Sequence, residues 1–318
     1  MGAAVVTVTA SPQPESQETV IESLRALLTG IIDYAGLFPP AQLDMAATVR
    51  NYADHLASND AWMLGRLVIP ASRLDEFEQH AASVLPRHDD AGPWQISALA
   101  STAGDPQLEV DLQRIAAFND AHRRPTAGWA EINVIELGAK IAADIEDALT
   151  RIPDDLFPFF ELPINDDPRG LIAALAGSDA GAKVRTGGAG PQSSPQPEHL
   201  ARFIRACAVP GVPFKATAGL HHPLSHRPDG PDTLEFGFLN VFVSGVLAAS
   251  KDLSQGDLLA LLTDESLDSF TFAKAGLWYH DHELTTGQIQ ETRLNFATSF
   301  GSCSFDEPRA DLRALNLL

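Results

Sequence analysis

Two short segments hold the residues best suited to chemistry. Residues 181–188 read GAKVRTGG and residues 212–220 read VPFKATAGL; each is a short apolar run carrying one lysine, Lys183 or Lys215, and each closes on threonine and glycine. Side chains alternate along a strand, so Lys183 shares a face with Arg185, and Lys215 with Thr217. An ammonium on a covered face of a sheet is costly unless it is paired or used. Burial and a neighbouring cation such as Arg185 both push a lysine toward its neutral form, which is the nucleophile of Schiff-base chemistry on a carbonyl substrate. The plainer reading is a lysine at a strand end with its stem packed and its head in water.

Other residue types extend or compete with that chemistry. Glu161 interrupts the apolar run FPFFELPI, where it would pair with Lys183 or serve as a general acid or base. His221 and His222 follow the second lysine segment, and His280 and His282 lie farther on; His221, His222, His280 and His282 form a candidate metal set, although their spacing matches no standard zinc signature. His221 or His222 contacting a substrate anion is the competing use. His55, His80, His88, His122 and His199 fall in helical or loop surroundings and read as surface residues. Cys303, between Ser302 and Ser304, has no histidine fixed beside it by sequence and reads as a small packed thiol. The TGGAGP stretch offers backbone amides to an anion but lacks the Walker spacing.

These residues need elements to hold them. From residue 19 onward, amphipathic helical patterns alternate with short apolar runs rich in β-branched and aromatic residues, the signature of repeated βα units. Seven strands are predicted, in GIIDYAGLF, GRLVIP, QISALAST, WAEINVIEL, FPFFELPI, AKVRTG and VPFKATAG. In PEHLARFIRACA the apolar Leu200, Phe203, Ile204 and Cys207 recur at three- and four-residue steps, as a helix lying on a sheet requires. Seven such steps predict an α/β fold, a (β/α)₈ TIM barrel. The eighth strand is placed at 299–305, before a helix opened by a capping pattern from Ser304 to Glu307. The apolar run 236–250 is the competing placement and suits a buried helix equally well. The predicted organisation is therefore a flexible tail over 1–18, a single barrel domain over 19–318, and a long helical and hairpin insertion over 223–295 between strands seven and eight. The C-terminal ends of barrel strands carry chemistry, which is where both lysine segments run into threonine and glycine.

The order and spacing of these segments resemble deoxyribose-phosphate aldolase, a class I aldolase family on a TIM barrel. Lys183-Val-Arg-Thr-Gly187 is similar to that family's strand-six segment bearing the Schiff-base lysine, and Phe214-Lys215-Ala-Thr-Ala-Gly219 to the strand-seven segment whose lysine tunes the first. The strand-one segment IIDYAGLFPP maps the family's aspartate to Asp33, and FGSCSF is similar to its phosphate-binding turn, implying Ser302 and Ser304. The resemblance implies catalytic Lys183, Lys215 and Asp33, to which Glu161 is added from its own place in an apolar strand. It implies substrate or anion contacts from Thr186, Gly187, Thr217, Gly219, Ser302 and Ser304; Arg185 and Gly188 beside the first lysine segment, and His221 and His222 after the second, are read as anion contacts from their own positions. In strand four it aligns Asn133 with the family's acidic proton relay, with Glu131 and Glu136 nearby. An amide cannot relay protons at neutral pH. Arg185, the HHPLSH segment and the long insertion also depart from the family, so the implied substrate is a small anionic carbonyl compound other than deoxyribose phosphate.

Bulk composition narrows the partners. The net charge of −20 and the absence of any basic cluster exclude a polyanion, so no nucleic-acid partner is expected. The longest nearly uninterrupted apolar run, 236–249, falls short of the ~18 residues a membrane span needs. Two cysteines fit a reducing, cytoplasmic compartment. No cofactor is expected, and a homo-oligomer with the insertion as lid or subunit contact is compatible with the pattern. Three readings remain open: an aldolase-like lyase, a metal-dependent hydrolase or lyase, and a barrel that binds a metabolite without turnover.

Overall fold

The computed structural model describes residues 20–88, 92–188, 195–228, 230 and 233–318. The predicted tail over 1–18 lies outside them, as does part of the TGGAGP stretch.

Eight parallel strands close into a barrel: β1 (Ile32–Tyr34), β2 (Leu64–Pro70), β3 (Trp94–Leu99), β4 (Ala130–Gly138), β5 (Phe157–Glu161), β6 (Gly181–Arg185), β7 (Phe214–Thr217) and β11 (Ala297–Ser302), with β11 joining β7 to β1. Three further strands, β8 (Phe270–Phe272), β9 (Gly276–Tyr279) and β10 (His282–Thr285), form a separate antiparallel sheet. The fold is the predicted (β/α)₈ barrel, and the eighth barrel strand falls at the C-terminal placement.

The helices are α1 (Glu22–Leu28), α2 (Met45–Leu56), α3 (Leu74–Ala81), α4 (Gln107–His122), α5 (Ala142–Arg151), α6 (Arg169–Leu175), α7 (Pro197–Ala208), α8 (Phe238–Ser250), α9 (Gln255–Leu262), α10 (Thr286–Asn295) and α11 (Asp306–Ala314). In α7 the predicted stripe of Leu200, Phe203, Ile204 and Cys207 is completely buried, with each large apolar side chain contributing roughly 1.5–3 kcal/mol. Helix α8 is apolar all round because it is covered on every side. Phe238 and Phe242 stack on Phe300 and Phe214 of the barrel, while α7, α9 and α10 close over the rest.

That packing revises the insertion. Helix α8 is the barrel's own outer helix after β7, so the added material is α9, the three-stranded sheet and α10. Buried Asn240 ties it to the mouth of the barrel: its Nδ2 donates to the carbonyls of Leu261 and Asp264 at 2.8 Å, and its Oδ1 accepts from the Ser225 amide at 2.8 Å. Ser254 with Asp257, and Thr285 with Gln288, form capping boxes that start α9 and α10. Two histidines read as surface residues are buried: His55 packs on Tyr34 and Phe305, and His122 on Phe118. Both sit on the inward faces of their helices. Among the described residues no helix is long and apolar enough to cross a membrane.

Candidate active site

Strand alternation turns one set of side chains from each barrel strand into the interior. Here that interior holds six ionisable groups from five strands, joined into one lattice: Asp33 of β1, Glu136 of β4, Glu161 of β5, Lys183 and Arg185 of β6, and Lys215 of β7. Glu136 is the hub. Its Oε2 accepts from Lys183 Nζ at 2.8 Å, and its Oε1 accepts from Lys215 Nζ at 2.6 Å and Ser97 Oγ at 2.7 Å. Lys183 Nζ also donates to Glu161 Oε2 at 2.9 Å, while the other oxygen of Glu161 meets Arg185 Nη2 at 3.1 Å. Lys215 Nζ also donates to Asp33 Oδ2 at 2.7 Å, an oxygen that accepts from Ser299 Oγ at the same distance. The remaining Asp33 oxygen accepts the Arg66 backbone amide at 2.7 Å. Three cations face three carboxylates, so the lattice is neutral as a whole and each buried charge has a counter-charge.

Register explains the contacts. Lys183 lies opposite both Lys215 and Glu161 in the sheet. Neighbouring strands are only ~5 Å apart, which brings the two amines to opposite oxygens of one carboxylate. The side chains of Lys215 and Glu136 are 1% and 3% exposed, and that of Lys183 is 5% exposed. Exposure then rises toward the mouth, to 26% for Glu161 and 52% for Arg185.

Protonation follows from this arrangement. Burial by itself pushes the Glu136 carboxyl up, but the facing charges of Lys183 and Lys215 outweigh it and hold the group well below the usual carboxylate range. Glu161 is lowered in the same way, burial being overcome by Lys183 and then Arg185. Burial pushes the Lys215 ammonium down, yet Asp33 and Glu136 more than compensate and its pKa is raised. Lys215 holds its proton because carboxylates are its nearest neighbours.

Two cavities meet this lattice. One of about 570 Å³ opens at the C-terminal mouth and is lined by Glu136, Glu161, Lys183, Arg185, Gly187, Gly188, Thr217, Gly219, His221 and Ser302, with Phe38, Pro39 and Pro40 of the loop after β1 as a further wall. A larger one of about 890 Å³ opens at the N-terminal end and reaches Asp33, Lys215 and Ser299 past Arg66, Gln95 and Asn133. The mouth cavity is the candidate site, since it contains Lys183 together with both carboxylates that touch it.

Most of the predicted anion-contact residues line this cavity, and three do not. Thr186 is buried, its hydroxyl donating to the Ala218 carbonyl to tie the loop after β6 to the loop after β7. Ser304 spends its hydroxyl on capping α11 by accepting from the Glu307 amide at 3.1 Å. His222 turns aside to Asp311, its Nδ1 lying 2.5 Å from Oδ2. Ser302 lines the cavity but donates to the Ser304 carbonyl at 2.7 Å. The glycines of both lysine segments have a packing reason. A Cβ on Gly187 or on Gly219 would lie 2.6 Å from the Cα of the other, and Gly219 has φ +78°, so the two strand-exit loops meet glycine to glycine.

Asn133 is the main correction. It lines the N-terminal cavity, where its Nδ2 donates to Gln95 Oε1 at 3.2 Å, and no hydrogen bond joins it to either lysine. Pairing with β3 shifts register between Ile132 and Val134, so Asn133 is the extra residue of a bulge. The bulge reverses the alternation beyond it and turns Glu136 inward. Glu136, Ser97 and Ser299 are the residues that sequence reading missed; the signal for Ser97 was a polar side chain interrupting an apolar strand, the same signal that marked Glu161.

The candidate metal set is also corrected. His221, His222, His280 and His282 do not converge: His221 pairs with Glu307 at 2.8 Å, and His280 stands near Asp264, 3.9 Å away, on the added sheet. Cys303 lines the mouth, but burial pushes its thiol up, opposite to the shift of an activated nucleophile. Comparison of the sequence with family models and with curated proteins finds no match.

Proposed function

We propose that the protein is a class I aldolase-like carbon–carbon lyase, with Lys183 forming a Schiff base to a small anionic carbonyl substrate. The observation that carries this reading is Lys183 itself: an amine inside a closed barrel, at the floor of the mouth cavity, held between two carboxylates and sharing one of them with a second lysine. A structural ion pair needs one partner. Here a carboxylate is available to each proton that the chemistry must move.

In the proposed sequence, Lys183 passes a proton to Glu161, its lone pair attacks the substrate carbonyl carbon, and a second proton moves from the nitrogen to the carbonyl oxygen to give the carbinolamine. Glu161 returns its proton to the departing hydroxyl, so that water leaves and the iminium remains. A carboxylate takes the proton from the β-hydroxyl, the Cα–Cβ electron pair moves into the iminium, and an aldehyde and an enamine result. Protonation of the enamine carbon and addition of water then release the second product and restore the amine. Glu161 suits the proton transfers because it touches Lys183 and is the more exposed of the two carboxylates. Glu136 and the retained proton of Lys215 supply the charge that the iminium and enamine stages exchange. Arg185, half exposed at the lip, suits an anionic group on the substrate.

The test is borohydride reduction in the presence of aldehydes and 2-keto acids, followed by peptide mass mapping. A reduced adduct on Lys183 that disappears in Lys183→Met, with thermal unfolding showing the variant folded, supports the proposal. An adduct carried equally by Lys183→Met refutes it.

A further inference from the structure

At the rim of the mouth, a second group of residues has the makings of a site that the lysine lattice does not use. Among the described residues, His222, His226 and Glu235 form one group whose ligand atoms all lie within 4.8 Å of one another. The imidazoles of His222 and His226 meet edge to face, with centroids 4.6 Å apart and planes at 90°. His226 Nε2 is 3.7 Å from Glu235 Oε2, too long for a hydrogen bond. That spacing is close to the ~3.4 Å edge of a tetrahedron with ~2.0–2.1 Å zinc bonds. The other ring nitrogen of His226, Nδ1, is buried without a hydrogen-bond partner. An imidazole with neither nitrogen engaged is poorly explained by packing or by an ion pair.

Backbone contacts fix the geometry. His226 and Glu235 face each other across an antiparallel bridge, with reciprocal amide-to-carbonyl bonds of 3.0 and 2.9 Å, and the His222 carbonyl accepts the Phe238 amide at 3.0 Å. His222 is further oriented by Asp311, whose carboxylate engages Nδ1 and so leaves Nε2 as the ligand atom. A carboxylate holding the far nitrogen of a ligating histidine is the usual outer partner in zinc sites. Two imidazoles and one carboxylate select a borderline transition metal over magnesium or calcium.

We infer that His222, His226 and Glu235 bind one divalent transition-metal ion of the zinc type, oriented through Asp311. Three protein ligands leave positions for water or a ligand oxygen. Glu235 also lines the mouth cavity, so the ion stands in the wall of that cavity and gives it a second point of attachment for an oxygen-bearing compound. The inference does not rest on the Schiff-base chemistry proposed for Lys183.

Untagged full-length protein, stripped with chelator, is dialysed against zinc and against cobalt, and bound metal is measured by mass spectrometry and cobalt absorption. The expected result is one equivalent per chain, at least tenfold weaker in H226A and in E235Q, unchanged in H280A and H282A, and 10–100-fold weaker in D311N. The bridge is made by backbone, so E235Q leaves it intact and serves if H226A fails to fold. Binding far below one equivalent, or binding unaffected in E235Q, overturns the inference. Borohydride trapping on the stripped protein is read separately, so failure of either proposal is distinguishable from failure of the other.

Discussion

Replacing Glu136 by glutamine keeps the shape of the hub and removes its charge. Glu136 accepts three hydrogen bonds, two of them from ammonium groups on different oxygens. An amide has one acceptor oxygen, so whichever way it is turned its NH₂ faces Lys183 or Lys215, and three cations remain against two carboxylates. Breaking a buried ion pair from one side costs about 3–5 kcal/mol, a large part of the 5–15 kcal/mol that a folded protein commonly has. The pH dependence gives a sharper signature. The folded carboxyl is held below its unfolded value, so its contribution is complete above the unfolded pKa of ~4.3 and is lost as pH falls below it toward the folded value. One proton corresponds to a slope of about 1.4 kcal/mol per pH unit in that window, and E136Q should lack it. Urea unfolding followed at pH 7 and at several values between 3 and 5 measures both quantities. A variant with the parental midpoint at pH 7 and the parental acid slope would refute the view that Glu136 is the ionised centre of the lattice.

Gly219→Ala places a Cβ 2.6 Å from the Cα of Gly187 at a residue with φ +78°, so it should destabilise the protein by about 1–3 kcal/mol and disturb the mouth cavity, measurable as a lowered unfolding midpoint with weaker ligand binding. Asn240→Ala removes three hydrogen bonds between α8, the mouth loop and the C-terminal end of α9, at about 1 kcal/mol each plus the cost of the unpaired groups. Hydrogen exchange should report that loss around residues 222–228, 233–237 and 261–264, while the protection of β2 to β4 is retained.

The alternation of apolar runs with helical stripes was enough to determine the barrel, because burial on both faces of a parallel sheet leaves a period that any reader of the chain can count. It also marked Lys183, Lys215 and Glu161 as residues needing partners, since a charge on a covered strand is too costly to stand alone, whereas Asp33 came only from the resemblance. What it could not determine was who partners whom. The resemblance aligned Asn133 with a proton relay, and a single bulge, visible only in the pairing of β4 with β3, turns Glu136 to the lysines instead. Ser97, Ser299, and the meeting of His222 with His226 and Glu235, join residues far apart in the chain or across a loop. Contacts of that kind are set by closure of the barrel and register between strands, which no local pattern encodes.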